Sequence, residues 1–162
     1  MALPLMRAYR IVKAKRASTA FDGEGARRSG GRWNSVGTPL VYAASSIALA
    51  CLEIQVHLDD PALLPAYSVI GVEFEERLMA TLALDQLPPD WNALPAPPVC
   101  ALIGDEWFQK VETPVLRVPS AVVPLEWNFL LNPRHADFGR IQVGETLPFG
   151  FDERLWKRND TA

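Results

Sequence analysis

Residues 40–58 read LVYAASSIALACLEIQVHL. The first five are apolar and include β-branched and aromatic side chains, which predicts a buried strand over 40–44. Ser45 or Ser46 then supplies an N-cap, and the apolar run after it predicts a helix to about Leu58, where Asp59, Asp60 and Pro61 stop it. On a helical wheel Leu49, Glu53 and Val56 project within about 60° of one another, so Glu53 interrupts an apolar stripe. Burying an unpaired carboxylate is costly, so Glu53 either has a cationic partner, reaches water at the stripe's edge, or has a catalytic task. Tyr42 alternates with Val41 and Ala43 in the strand and is a candidate for either core or site.

Outward from this unit the chain is mostly short strands. Residues 7–12, RAYRIV, predict a first strand, and 67–74, YSVIGVEF, another. Residues 78–84, LMATLAL, fit a strand or one short helix, because periodicity does not discriminate over so few positions. Five prolines between 85 and 99 predict an ordered surface loop around Trp91. A short helix is expected over 101–110, strand pieces over 114–118 and 121–124, interrupted at Pro119-Ser120, and a strand over 126–131. The spacing is too close for βαβ crossovers. The expected fold is therefore one α+β domain with a mixed or antiparallel sheet and few helices, not a doubly wound one.

Composition bounds the rest. The 162 residues suit a single domain, and 49% hydrophobic against 22% charged residues leaves material for one core and excludes wholesale disorder. No run approaches the length of a membrane helix, and the opening residues lack a signal core, so the expected compartment is the cytosol. Cys51 and Cys100 lie in apolar contexts and read as buried small hydrophobes; with two histidines and no Cys-x-x-Cys, no metal site is expected. His57 and His135 read as structural or surface residues.

Net charge is −3, yet the first 32 residues carry +6 and the remainder −9. That split favours an anionic ligand near the N-terminal region, phosphates foremost, or else a merely solvated basic face. Residues 17–38 are polar, hold five of the ten glycines and predict a long loop. The stretch GEGARRSGGRWNSVG offers glycines for close backbone approach and arginines for bidentate contact with phosphate oxygens. It matches neither a Walker A loop nor a dinucleotide fingerprint, since it leads into a strand, and an ordinary glycine-rich turn stays open. Ser120, in RVPSAVVP, follows a ladder-breaking proline without a nucleophile elbow around it.

In order along the chain, FDGEGARRSGGRWNSVGTPLVYAASSIALACLEIQVHL, LRVPSAVVP and NFLLNPRHADF resemble the RES domain family, the toxin half of bacterial Res–Xre toxin–antitoxin pairs. The resemblance spans about Tyr9 to Phe138 and gives no reading of the 85–99 loop or of a C-terminal tail over 145–162. The residues that name the family match Arg32, Glu53 and Ser120. The resemblance implies a fold similar to ADP-ribosyltransferases and diphtheria-toxin-like enzymes, and NAD+ as a substrate that is hydrolysed, phosphorolysed with inorganic phosphate, or used to ADP-ribosylate a protein. It implies a catalytic set of Arg32, Tyr42, Glu53 and Ser120, with Glu53 beside the reacting ribose. Tyr9, Arg10, Gly31, Arg32, Tyr42 and Ser45 would contact the dinucleotide, Arg32 and Arg10 at the pyrophosphate. It also implies a cytoplasmic toxin that arrests growth, held in check by an Xre-type antitoxin whose C-terminal segment reaches the active-site mouth, where the charge split suggests a basic entrance at Arg27, Arg28 and Arg32. Any contact with DNA would run through that antitoxin. A nucleic-acid-binding module built on the basic N-terminal stretch is the reading from a different class; net charge and pI near 5.4 oppose it.

Overall fold

The computed structural model describes residues 2–58 and 65–156. Seven strands form one sheet: β1 (Leu5–Lys13), β2 (Val41–Ala44), β3 (Tyr67–Glu75), β4 (Met79–Thr81), β5 (Val115–Pro119), β6 (Trp127–Leu131) and β7 (Gln142–Phe149), in the order β4-β5-β6-β2-β1-β3-β7. Only β4 and β5 run parallel; every other neighbouring pair is antiparallel. Among the described residues three α-helices accompany it: α1 (Glu24–Ser29), α2 (Ile47–Gln55) and α3 (Pro98–Lys110). This is the α+β class with a mixed sheet that the strand spacing predicts.

Alternation decides which face each side chain joins. Val41 and Ala43 enter a core with Ala8, Val72, Phe74, Phe129 and Leu131 on one face. On the other face Leu116, Val118 and Leu130 pack with Cys100 and Trp107 of α3, and Ala44 and Ile11 pack with Leu49 and Ala50 of α2. Both longer helices therefore lie on one side of the sheet, the side to which Tyr42 projects.

The sheet has one weak seam. β1 and β3 stay in register over nine pairs, whereas β1 and β2 meet only where Tyr9 stands opposite Ala44. A side chain bridges the seam: Arg10 donates from Nη1 to the Tyr42 carbonyl at 2.8 Å and from Nε to the Ala20 carbonyl at 2.8 Å. Buried carbonyls need partners, and here a guanidinium supplies what a neighbouring strand would have given.

Several expectations shift. The segment 17–38 is not one long loop: Gly23, with φ of 75°, opens α1, and Glu24 pairs with Arg27 at 2.9 Å within that helix. Ser46, not Ser45, caps α2, its Oγ accepting from the Leu49 N–H at 3.0 Å. The helix ends at Gln55, short of Leu58, and the expected stop at Asp59–Pro61 lies outside the described residues. α3 begins at Pro98 because proline's missing N–H costs nothing in a first turn. Residues 121–124 form a bend leading into a turn, not a strand. Residues 145–149, expected in a tail, complete β7 along the β3 edge. The segment 78–84 resolves to the three-residue β4 followed by a short 3₁₀ turn.

The NPRH turn has a structural task. Asn132 is fully buried, and its Oδ1 accepts from the Arg134 N–H at 2.9 Å. The Asp137 N–H donates to His135 Nδ1, which leaves the ring proton on Nε2 to donate to the Val111 carbonyl at 2.9 Å. Val111 sits at φ 47°, an unfavourable region for a β-branched residue, and this contact helps hold the end of α3 there.

Candidate active site

A cleft of about 920 Å³ opens on the helical side of the sheet, between α2 and the glycine-rich segment. Its size and mostly apolar walls with a few convergent polar groups suit a small-molecule ligand. Of the residues the sequence singled out, Tyr9, Arg10, Gly31, Arg32, Tyr42 and Glu53 line it together. Ser45 does not; its N–H donates to the Trp127 carbonyl at 3.1 Å and serves the sheet. Ser120 does not line it either, being wholly buried behind Glu53.

Glu53 is the centre of the arrangement. Its Oε1 accepts from Ser120 Oγ at 2.6 Å and from Asn128 Nδ2 at 2.7 Å. Ser120 Oγ in turn accepts the N–H groups of Val122 and Val123 at 3.1 and 3.0 Å. With both hydroxyl lone pairs engaged, the one hydroxyl proton is committed to Glu53. Oε2 has no hydrogen-bonding partner among the described residues, and Glu53 faces the cleft. The apolar stripe read from the wheel is half core and half cleft wall: Leu49 is 1% exposed, while Val56 is 57% exposed and lines the cleft.

Tyr42 donates from its hydroxyl to Asn34 Oδ1 at 2.6 Å and accepts from the Trp33 N–H at 3.2 Å. Desolvation raises its phenol well above the ordinary value, only partly opposed by the Trp33 N–H, so the ring presents a neutral edge. Asn34 is 1% exposed, and its amide donates to the Ala26 and Thr38 carbonyls at 2.9 and 3.0 Å. A Cβ at Gly31 would lie 2.8 Å from the Tyr42 hydroxyl, so glycine there is a requirement of the close approach.

Arg32 donates from Nη1 to the carbonyls of Trp91 and Ala93 at 2.7 and 3.0 Å. It thereby ties the proline-rich loop to the glycine-rich segment, and Asn92, Leu94 and Ala96 of that loop form a wall of the cleft. Desolvation lowers Arg10 to about 10, with Asp22 opposing the shift, so it stays cationic at neutral pH. The cleft thus holds two cations, and Arg27 and Arg28, expected at its entrance, are not among its walls. Glu24 of the same helix holds both, at 2.9 and 3.9 Å.

Three residues in or behind the cleft wall were not singled out as site candidates in the sequence. Asn34 and Asn128 are asparagines in apolar surroundings, and burial of a polar side chain is the signal that would have marked them. His57, read as structural or surface, is exposed and lines the cleft one helical turn from Glu53.

The RES domain model matches residues 7–152, nearly the whole described chain, past Phe138 and through β7. The chain belongs to the RES domain family. It is 43% identical over 151 residues to Toxin Res of Photorhabdus laumondii, covering 92% of this chain and 96% of that protein. It is 39% identical over 155 residues to the Prs ADP-ribosylating toxin of a Sphingobium species, covering 93% of this chain and 96% of that protein. Its fold is similar to that of a chain in the crystal structure of the M. tuberculosis MbcT–MbcA toxin–antitoxin complex, with a TM-score of 0.73 at 22% identity, covering 91% of this chain and 85% of that one. Within this RES domain, the three residues that the family resemblance singles out take unequal places: Glu53 and Arg32 face the cleft, and Ser120 stands behind Glu53.

Proposed function

We propose that this RES domain is a cytoplasmic toxin that consumes NAD+ by cleaving the nicotinamide–ribose bond. The observation that carries the reading is Glu53, a carboxylate on the wall of a cleft that also contains Arg10 and Arg32, with one oxygen held by Ser120 and Asn128 and the other without a hydrogen-bonding partner among the described residues. Breaking that bond builds positive charge at the anomeric carbon, and a preoriented carboxylate stabilises it, as in glycoside hydrolysis. The nicotinamide leaves as a neutral base, and water or inorganic phosphate takes its place on the ribose. Arg10 and Arg32 supply positive charge for the pyrophosphate, and Tyr42 borders the ring that departs.

Transfer of ADP-ribose to a protein is the second reading, favoured by the Sphingobium relative's name. Incubating the purified, antitoxin-free protein with NAD+, with and without inorganic phosphate, and separating the products decides among the three. Free ADP-ribose marks hydrolysis, a phosphate-dependent ADP-ribose species marks phosphorolysis, and a labelled protein marks transfer. Intact NAD+ and no labelled protein after prolonged incubation would refute the reading.

The fold shared with a chain of a toxin–antitoxin complex supports an antitoxin partner, of Xre type by the family resemblance, and the cleft mouth beside Arg32 is where we place its inhibitory segment. For Arg32→Lys the charge remains but the guanidinium is lost, whose Nη1 alone holds the Trp91 and Ala93 carbonyls and whose other N–H groups are left for phosphate oxygens. The Michaelis constant for NAD+ is expected to rise about tenfold, the loss of roughly one charge-assisted hydrogen bond. Steady-state kinetics at several substrate concentrations check it, and an unchanged constant would remove Arg32 from the phosphate end.

A further inference from the structure

We infer that Asn128 is a positioning residue for Glu53, fixing the carboxylate so that Oε2 alone meets the substrate; the inference rests on the reading of Glu53 given above. Asn128 begins the buried part of β6, opposite Ala44 of β2 and Val118 of β5, and is 8% exposed. Asparagine is a poor strand residue, and nothing in the ladder needs its side chain. Its Nδ2 donates to Glu53 Oε1 at 2.7 Å, while its Oδ1 is buried with no partner among the described residues. An unmet buried acceptor is expensive, so the contact made by the donor end has to offset the cost of placing an amide here. Only the donor end of Asn128 is used, and it is used on Glu53.

The two donors divide the work. Ser120 is anchored by the Val122 and Val123 N–H groups and approaches Oε1 from the end of β5. Asn128 approaches the same oxygen from β6. Two donors from two strands fix the plane of the carboxylate, which one donor would leave free to rotate. Both act on Oε1, so the lone pairs of Oε2 stay available to the developing cation.

Asn128→Asp tests this with a readout that packing alone would not move. The variant keeps the shape but sets a second carboxyl against Glu53, and two carboxyls in such contact share one proton and release it as a pair above the ordinary carboxylate range. While the pair holds the proton, the introduced carboxyl donates to Oε1 as the amide did; once the proton leaves, like charges push Glu53 out of place. The other titratable groups facing the cleft are Tyr9 and Arg10 on β1, Arg32 before β2, Tyr42 on β2 and His57 after α2, and all are common to both proteins.

The expected result is a turnover number close to wild type at the acid end and falling about tenfold per pH unit above the apparent pKa of the pair, a limb wild type lacks. Asn128→Ala should lower the turnover number at every pH, on the order of 10²-fold for a misplaced reacting group, with a much smaller change in the Michaelis constant. A profile for Asn128→Asp superimposable on wild type, or a wild-type turnover number for Asn128→Ala, would overturn the inference. If wild type consumes no NAD+ and labels no protein, the functional reading fails separately. Carboxyl NMR titration of Asn128→Asp then decides the positioning: a proton held above the usual range supports it, and two ordinary titrations overturn it.

Discussion

Glu53→Gln is expected to lower NAD+ turnover by about 10²–10³-fold, roughly 3–4 kcal/mol of transition-state stabilisation. The glutamine carbonyl can still accept from Ser120 Oγ and Asn128 Nδ2, so the contacts that seat residue 53 survive. What changes is the group turned to the cleft, an amide in place of a charged oxygen. The melting temperature is therefore expected to stay close to that of wild type, and substrate affinity with it, while the chemical step slows. Single-turnover kinetics beside a thermal melt check both halves of the expectation. Near-normal turnover would reduce Glu53 to a structural acceptor for Ser120 and Asn128.

The largest expected loss of stability lies away from Glu53. A Cβ added at Gly104 of α3 would stand 1.7 Å from the backbone oxygen of Trp33, a contact that no side-chain rotation relieves. Alanine favours a helix over glycine by about 1 kcal/mol, but forcing α3 off the segment 31–35 costs more. Gly104→Ala is expected to destabilise the domain by a net of about 2–3 kcal/mol, roughly 4–12 °C in melting temperature at this size. The Ser35 N–H also donates to Asp105 Oδ1 at 3.0 Å, so moving α3 disturbs the seat of Arg32 and Trp33 as well. Calorimetry measures the first effect and the Michaelis constant for NAD+ the second. A melting temperature at or above that of wild type would show that the helix gain wins and that this backbone contact is loose.

The contrast between these two positions separates what is local in the chain from what is not. The strand–cap–helix unit of 40–58 was legible because its signals act over a few residues: a serine oxygen reaching the third N–H onward, an apolar run, a strand of alternating side chains. The same holds for β1 and β3 and for the body of α3, although its first turn, from Pro98, was read as part of the proline-rich loop. Arg32, Glu53 and Ser120 were recoverable because they sit inside ordered local motifs, and Glu53 stood out for being a carboxylate in an apolar stripe.

What those residues do to one another was decided only in three dimensions. Ser120 and Asn128 lie 67 and 75 residues from the carboxylate they hold, and Arg10 reaches Tyr42 across the seam where β1 and β2 pair only at Tyr9 and Ala44. Such contacts depend on the register of β5, β6, β2 and β1 in a sheet whose order does not follow the chain. The proline-rich loop became a cleft wall because Arg32 is tied to carbonyls 59 and 61 residues away, and backbone carbonyls leave no mark in a sequence. Gly104 reads as a mild weakness in a helix until Trp33 is placed against it. Propensity, capping and alternation are energies of near neighbours, so they are written in the sequence; the site is made of long-range contacts, whose geometry exists only after the strands have paired.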